Sequence, residues 1–261
     1  MSGEVAVTDI AGDIGRTPQH HRTVDRITQI LEEVVYNPGL TFADLARTIG
    51  APKSSVYGFM KGLLATGWLL EQDHHIFLGP AMHGLTLASG QVRAGLISLS
   101  RLTALHEETG LAVFLGVGAG DHLIYIAEAG RDAISDIEAR REIRRTLLAT
   151  ATGKALLAAR PQSELQDFLR RRTRIEAPLV EAFLSEYEDI KRSGVAKNVR
   201  LSGTRCALAT VVPGTSRKGL AAVALVGATP SLKPRLEAMS ALLLRRVGEW
   251  AQNPDAAREA V

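Results

Sequence analysis

The sequence predicts an α+β protein: a small three-helix unit closed by a hairpin, a helical connector, and a larger domain of antiparallel strands with helices on their faces. Residues 45–70, LARTIGAPKSSVYGFMKGLLATGWLL, compress a helix, a tight turn, a second helix and the start of a hairpin into one segment. Beyond Gly110, strand and helix patterns follow one another without strict alternation, which argues for an antiparallel-rich sheet rather than a βαβ array. Between the two, an apolar helical pattern runs through Leu85 and Leu87, pauses at Gly90 and resumes at Leu96.

At 261 residues the chain can build two ordinary domains, each with its own core. Hydrophobic residues make up 46% and charged residues 23%, values typical of a soluble globular protein. A net charge of +3 permits contact with a polyanion without requiring it. Cys206 is the single cysteine, which excludes an intramolecular disulfide and favours a reducing cytosol. No apolar run approaches the roughly 18 residues a membrane span needs, so no membrane partner is expected. The N-terminus lacks the basic start and apolar core of a signal peptide. The expected organisation is a disordered tail over 1–19, a compact unit over 20–79, a linker helix over 80–92, a sheet domain over 93–252 and a short tail over 253–261.

In the N-terminal unit, Val24, Ile27, Ile30, Leu31, Val34 and Val35 give residues 23–37 an apolar stripe, ended by Asn37-Pro38-Gly39. Thr41 is placed to cap the next helix with Asp44 answering three residues on, and Gly50 to stop it. Pro52 breaks the chain, and Ser54 or Ser55 is expected to cap a helix running to about Thr66. On that helix Val56, Phe59, Met60, Leu63 and Leu64 form one apolar stripe. The opposite face carries Ser54, Gly58, Lys61 and Ala65, flanked by Tyr57 and Gly62. A sparse, polar and basic face on a helix seated against another helix suits the DNA major groove. Residues 68–70 and 76–78, joined by a polar turn at 72–74, read as the hairpin of a winged helix-turn-helix.

The expected partner is double-stranded DNA. Ser54, Ser55, Tyr57 and Lys61 would meet base edges or phosphates, Lys53 and Arg47 would clamp the backbone, and His74 and His75 would reach out from the wing tip. Electrostatics argue against a strong grip by one copy. From 17 to 79 the basic residues Arg22, Arg26, Arg47, Lys53 and Lys61 face the acidic Asp25, Glu32, Glu33, Asp44, Glu71 and Asp73, a net of −1. Phosphate contacts supply much of DNA affinity, so two copies on two half-sites would relieve the deficit. The alternative is an adaptor that uses the same shape as a protein-docking surface.

The connector's apolar stripe suits either a subunit contact or the core of the next domain. In that domain, residues 111–117 and 123–129 flank Gly118-Ala119-Gly120-Asp121 as a hairpin. Helices are expected over 152–159, 161–170 and 179–193, strands over 195–201, 206–212 and 220–226. A last amphipathic helix carries Leu236, Met239, Leu243, Val247 and Trp250 on one stripe.

Several chemistries are excluded. Gly153-Lys154 ends like a phosphate-binding loop, but Leu148 replaces its first glycine and Ala155 its Ser/Thr. There is no G-x-S-x-G. The pairs His20-His21 and His74-His75 lack the i, i+4 spacing of helical metal ligands, so no metal and no cofactor is expected. Cys206 sits on an apolar strand without an activating neighbour in sequence. The arginine runs at Arg140, Arg141, Arg144, Arg145 and at 170–174 read as solvated faces. An enzyme acting on a small carboxylic acid would need a paired acid and base that these motifs do not supply.

Three stretches in order, residues 45–69, ATATGKALLA over 149–158 and SGTRCALATVV over 202–212, followed by LAAVALV and the closing helix, resemble the IclR family of bacterial transcriptional regulators. The resemblance implies a winged helix, a dimerising linker helix and a GAF-like effector domain. It also implies a homodimer or dimer of dimers on operator DNA and a small organic or aromatic acid as effector. The matching effector site would comprise the loop Thr150-Ala151-Thr152-Gly153, Cys206 and neighbouring strand residues Asn198, Ala224 and Val226. The start of the helix at Gly153 independently favours an anionic group, through its exposed N–H groups. Family members commonly carry acidic residues where this chain has Asn198-Val199-Arg200, and two serines where it has Ala224 and Val226. Both changes predict a ligand more apolar than a glyoxylate-sized acid, such as an aromatic carboxylate. Gly58 stands where the family usually has a large polar side chain, which removes a base-reading group but lets the backbone approach closely.

Overall fold

The computed structural model describes residues 21–88, 97–130, 143–200, 203–213 and 220–252. The expected tails at 1–19 and 253–261, residues 89–92 of the expected linker helix, and Arg140 and Arg141 lie outside these residues. Helices α1 (Arg22–Tyr36), α2 (Phe42–Ile49) and α3 (Lys53–Ala65) pack around Ile30, Val34, Leu45, Ile49, Val56, Met60 and Leu63. Strands β1 (Leu40–Thr41), β2 (Leu69–Gln72) and β3 (His75–Leu78) close the unit as an antiparallel sheet in the order β1-β3-β2. The capping box on α2 is formed: the Thr41 hydroxyl accepts from the Asp44 N–H at 3.2 Å, and the Asp44 carboxylate accepts from the Thr41 N–H at 3.3 Å. Gly50 ends that helix at φ +63°, a conformation glycine adopts without Cβ strain.

The start of α3 differs from the sequence expectation. Neither serine caps it; Pro52 precedes the helix in an extended conformation, and its carbonyl accepts from Ser55 and Val56 N–H at 3.0 and 3.2 Å. Proline's fixed φ sets up the first turn, so Ser54 and Ser55 lie inside the helix with their side chains exposed. The wing turn is a two-residue loop with Asp73 at φ +51° and His74 at φ +64°, the left-handed pair that a twisted hairpin requires.

Helix α4 (Pro80–Ala88) leaves the winged unit, and α5 (Leu99–Thr109) enters the sheet domain, capped by Ser98 and stopped by Gly110 at φ +69°. Six antiparallel strands follow: β4 (Ala112–Ala119), β5 (His122–Ala129), β6 (Arg144–Thr146), β7 (Ala196–Arg200), β8 (Arg205–Val211) and β9 (Ala221–Ala228). Their order is β6-β5-β4-β9-β8-β7. Helices α6 (Ala151–Ala158), α7 (Gln162–Arg170) and α8 (Ala177–Ser193) cover one face. On the other, α5 is joined by α10 (Leu236–Gln252), reached through the short α9 (Thr229–Leu232).

Alternation divides the strands between two cores. On β9, Ala221, Val223 and Leu225 pack with Leu102, Leu105, Leu208, Leu243 and Val247, whereas Ala222 and Ala224 pack with Leu156, Phe168 and Phe183. The alanine-rich second face lets α6 lie close to the sheet. Gly153 serves a second fit, against the chain that leads into the helix: a Cβ there would stand 2.1 Å from the backbone oxygen of Leu147, in the segment between β6 and α6.

Neither described arginine run is a plain solvated face. Arg144 makes a two-pronged ion pair with Glu32 of α1 at 2.7 and 3.0 Å, and the adjacent Ile143 N–H donates to the Tyr36 hydroxyl at 2.5 Å. The winged unit is thereby tied to the sheet domain. Arg145 is buried, at 7% exposure. In the second run Arg170 and Arg174 are exposed, but Arg171 and Arg172 clasp Asp121 at the tip of the β4–β5 hairpin. The Arg172 guanidinium also lies 4.2 Å from the Phe168 ring centre. Burial pushes the Asp121 carboxyl up, but hydrogen bonding and attraction from Arg171 and Arg172 outweigh it and hold the group below its ordinary value.

The seat of α6 yields a prediction. Gly153→Ala should destabilise the protein by about 3 kcal/mol, the upper end of overpacking costs, because the obstructing atom is backbone and cannot rotate away. Thermal unfolding of the full chain measures it; an unchanged midpoint would show that α6 can shift freely.

Candidate nucleic-acid interface and effector site

On α3 the buried side is Val56, Met60 and Leu63, and the outward side presents Ser54, Ser55, Tyr57, Gly58 and Lys61, all exposed. Two aromatic contacts hold the centre of that face. Tyr57 packs against Phe42 of α2 with ring centres 5.2 Å apart, and the Lys61 ammonium sits 4.7 Å from the Tyr57 ring centre. Phe42 escaped the sequence reading as part of this face; its position directly after the Thr41 cap was the available signal. A Cβ at Gly58 would meet nothing within 4 Å, so glycine there leaves the face open rather than serving internal packing.

Lys53 is exposed at the start of α3. Arg47 is exposed too, but its guanidinium pairs with Asp44. Hydrogen bonds from Thr41, then the charge of Arg47, hold the Asp44 carboxyl below its ordinary value. A phosphate contact by Arg47 would have to compete with that carboxylate. His74 and His75 stand exposed on the wing; the His74 ring nitrogen lies 3.7 Å from the Glu71 carboxylate, and the His75 Nδ1 lies 2.7 Å from the Asp73 carbonyl.

In the sheet domain, Thr150, Ala151, Thr152 and Gly153 are all buried at the start of α6. The Thr150 hydroxyl accepts from the Gly153 N–H at 2.9 Å, so the N–H groups of Ala151 and Thr152 are those that lie beyond both the helix's own ladder and this cap. The Thr152 and Tyr125 hydroxyls are 3.0 Å apart, and the Asn198 side chain donates to the Ala149 carbonyl at 3.0 Å. Ala224 is paired in register with Phe114, whose ring centre is 5.2 Å from that of Tyr125, and Val226 with Ala207. These residues share the α6 side of the sheet.

Cys206 does not join them. It points into the other core with Leu208 and Leu225, because it is one residue out of phase with Ala207 and Ala209. Burial pushes its thiol up, which keeps it protonated and a poor nucleophile. The Lys154 ammonium is buried against the Glu186 carboxylate at 2.8 and 3.1 Å, so the lysine of the Gly153-Lys154 pair is held by a structural ion pair. Tyr125 and Arg145 were missed as members of the α6 face. The alternation of Leu123 and Tyr125 could have found the first, whereas β6, only three residues long, carries no periodicity that would find the second. Among the described residues no cluster of metal-ligating side chains occurs and no helix is long and apolar enough to cross a membrane.

Lys61 and Gly58 give opposite signatures. Lys61→Ala should lower affinity for a duplex and reduce the slope of log K against log salt by about 1, because one phosphate is no longer neutralised. Gly58→Ala should raise the stability of the winged unit by about 0.5–1 kcal/mol, through helix propensity in an open position. Fluorescence titration across a salt series and thermal unfolding read both; an unaltered salt slope removes Lys61 from the interface.

Comparison with known proteins gives the same two-part division. Residues 23–74 match the IclR helix-turn-helix domain, and residues 93–256 match the C-terminal domain of the bacterial transcriptional regulator IclR. The transcriptional regulator BhcR of Paracoccus denitrificans is 28% identical over 245 residues, covering 87% of this chain and 85% of that protein. The fold is shared with an IclR-family regulator of Brucella abortus, at TM-score 0.67 and 18% identity, covering 92% of this chain and 93% of the other. It is shared equally with an IclR homologue from Microbacterium hydrocarbonoxydans solved with 4-hydroxybenzoate, at TM-score 0.67 and 18% identity, covering 89% and 99%. These relatives favour DNA reading over a protein-docking adaptor and set the enzymatic alternative aside. With both of its parts matched, the chain belongs to the IclR family of bacterial transcriptional regulators.

Proposed function

We propose that the protein binds operator DNA as a homodimer or dimer of dimers and releases or tightens that grip when a small aromatic carboxylic acid enters the α6 face of its sheet domain. The observation that carries the DNA half is the division of α3: an apolar side locked into the core and an open side of Ser54, Ser55, Tyr57, Gly58 and Lys61. Lys53 and Arg47 serve as phosphate contacts beside it, and His74 and His75 approach from the wing. The net charge of −1 over the unit supports the oligomer, because one copy offers few cations to the phosphate backbone.

For the effector half, the support is a polar end and an apolar wall on one face. Thr152 and Asn198, with the N-terminus of α6, supply hydrogen-bonding groups; Phe114, Ala224 and Val226 supply apolar contact. The alanine and valine replace hydroxyls with methyls, which favours a ligand with an apolar body. The 4-hydroxybenzoate bound to the Microbacterium homologue has that character. The protein would do this work in the cytoplasm, where its DNA target lies.

One set of measurements tests the whole. Selection of bound duplexes from a random pool should return a palindromic sequence, and sedimentation should give a dimer or tetramer. Calorimetric titration should rank benzoate-type acids above short oxo-acids. A monomer indifferent to every duplex would reject the DNA half, and a preference for the smallest acids would reject the effector half.

A further inference from the structure

A lysine ammonium is a point charge on a flexible stem, so where it meets a duplex depends on what holds it. On α3 the holding group is the ring of Tyr57, one turn earlier, whose centre lies 4.7 Å from the Lys61 ammonium. Both side chains stand in the open, and Tyr57 is 49% exposed. An exposed tyrosine can itself change rotamer, so the pair is only as fixed as whatever lies behind that ring. Behind it lies Phe42, with ring centres 5.2 Å apart and planes tilted by 46°. That separation falls in the range of a favourable aromatic pair.

Phe42 is a firm backing because the chain beside it is held from two directions. It is the first residue of α2, directly after Thr41, whose hydroxyl and N–H close the capping box with Asp44. Thr41 is also paired in register with His75 in the β1–β3 ladder, so the same dipeptide joins the helix start to the wing. The Phe42 ring is half-buried and packs against the core of the winged unit as well as against Tyr57. A continuous row therefore runs from the wing through Phe42 and Tyr57 to Lys61.

Resting on the reading of α3 as the helix that meets the duplex, we propose that Phe42 is a positioning residue for sequence recognition. It fixes the Tyr57 ring, and through that ring Lys61, at a set place relative to the wing. Phe42 carries no charge, so it contributes little to the sequence-independent attraction of cations to phosphates. Its effect is on order: side chains already held in place lose less freedom when they meet the duplex. Phe42 thus raises specific affinity above non-specific affinity, whereas the charge of Lys61 contributes to both.

The test uses the full-length chain and fluorescence anisotropy with two labelled duplexes, the sequence that wild type selects from a random pool and a mixed sequence of the same length. Phe42→Leu keeps apolar volume and removes the ring. It should weaken the selected duplex by about 3- to 10-fold, leave the mixed one within about twofold and leave the salt slope unchanged. Phe42→Tyr, which keeps the ring, should bind as wild type does. In a Tyr57→Ala background Phe42→Leu should cost nothing further, because the ring it positions is gone. Thermal unfolding reports whether each variant is folded, and Phe42→Met supplies the reading if the Leu variant is not. Equal losses on both duplexes would make Phe42 a residue of the core alone. Losses that add to those of Tyr57→Ala would make it a direct contact. Either result overturns the inference, as does an unchanged affinity of Phe42→Leu for the selected duplex, and in each case the DNA reading stands. If wild type selects no sequence, the DNA reading itself falls and takes this inference with it.

Discussion

The close seat of α6 on the sheet is the constraint on which the sensing half of the molecule depends. Alanines at 196, 209, 222 and 224 lower the floor beneath the helix, and Gly153 removes the one side-chain atom that would collide with the Leu147 carbonyl. Gly116 acts in the same way from β4, since a Cβ there would stand 2.7 Å from Leu123 and 3.0 Å from Thr152. These small residues contribute little apolar area themselves. Their effect is geometric: they bring Thr152 to the Tyr125 hydroxyl and the Ala149 carbonyl to Asn198. Larger residues would bury more surface and lose the arrangement.

Strand β6 gives that face a mechanical neighbour. Consecutive strand residues point to opposite sides, so Arg144 reaches out to Glu32 of α1 while Arg145 turns in toward Tyr125. The Glu32 pair is two-pronged and only partly open to water, and the Tyr36 contact lies beside it. Any displacement of this three-residue strand moves both arginines at once. The DNA-reading unit and the α6 face are thus joined by one short, rigid element as well as by the connector. Its worth is modest, since ion pairs this exposed contribute on the order of 1 kcal/mol. That is the scale on which a ligand can shift a two-state equilibrium several-fold.

What the sequence revealed follows from how local each signal is. The Thr41–Asp44 box and the Gly50 stop span ten residues and were legible. So was the stripe on α3, because a helix repeats its apolar side within two turns. The cap of α3 was misread because Pro52 does without a side chain what Ser54 and Ser55 were expected to do. Cys206 could be assigned to a strand from its neighbours, but its face depends on register with β9, where one residue inverts inside and outside. Arg144 and Arg145 look like a charged surface in sequence. Only pairing with β5 and contact with α1 reveal that neither is one, and the α1 contact joins residues 112 positions apart.

The balance of charge on the reading unit decides how such a protein must work. Because Arg47 has to leave Asp44 to meet a phosphate, the cations of α2 and α3 that need no such exchange reduce to the exposed Lys53 and Lys61. Two lysines release too few counterions for a tight complex at physiological salt. In the proposed oligomer, however, a second unit held at fixed separation meets its half-site at high effective concentration, so weak contacts multiply rather than add. A weak single unit then becomes an advantage for regulation. When affinity depends on two units engaging together, an effector needs only to alter their spacing, not to abolish either contact, to change occupancy of the operator by orders of magnitude.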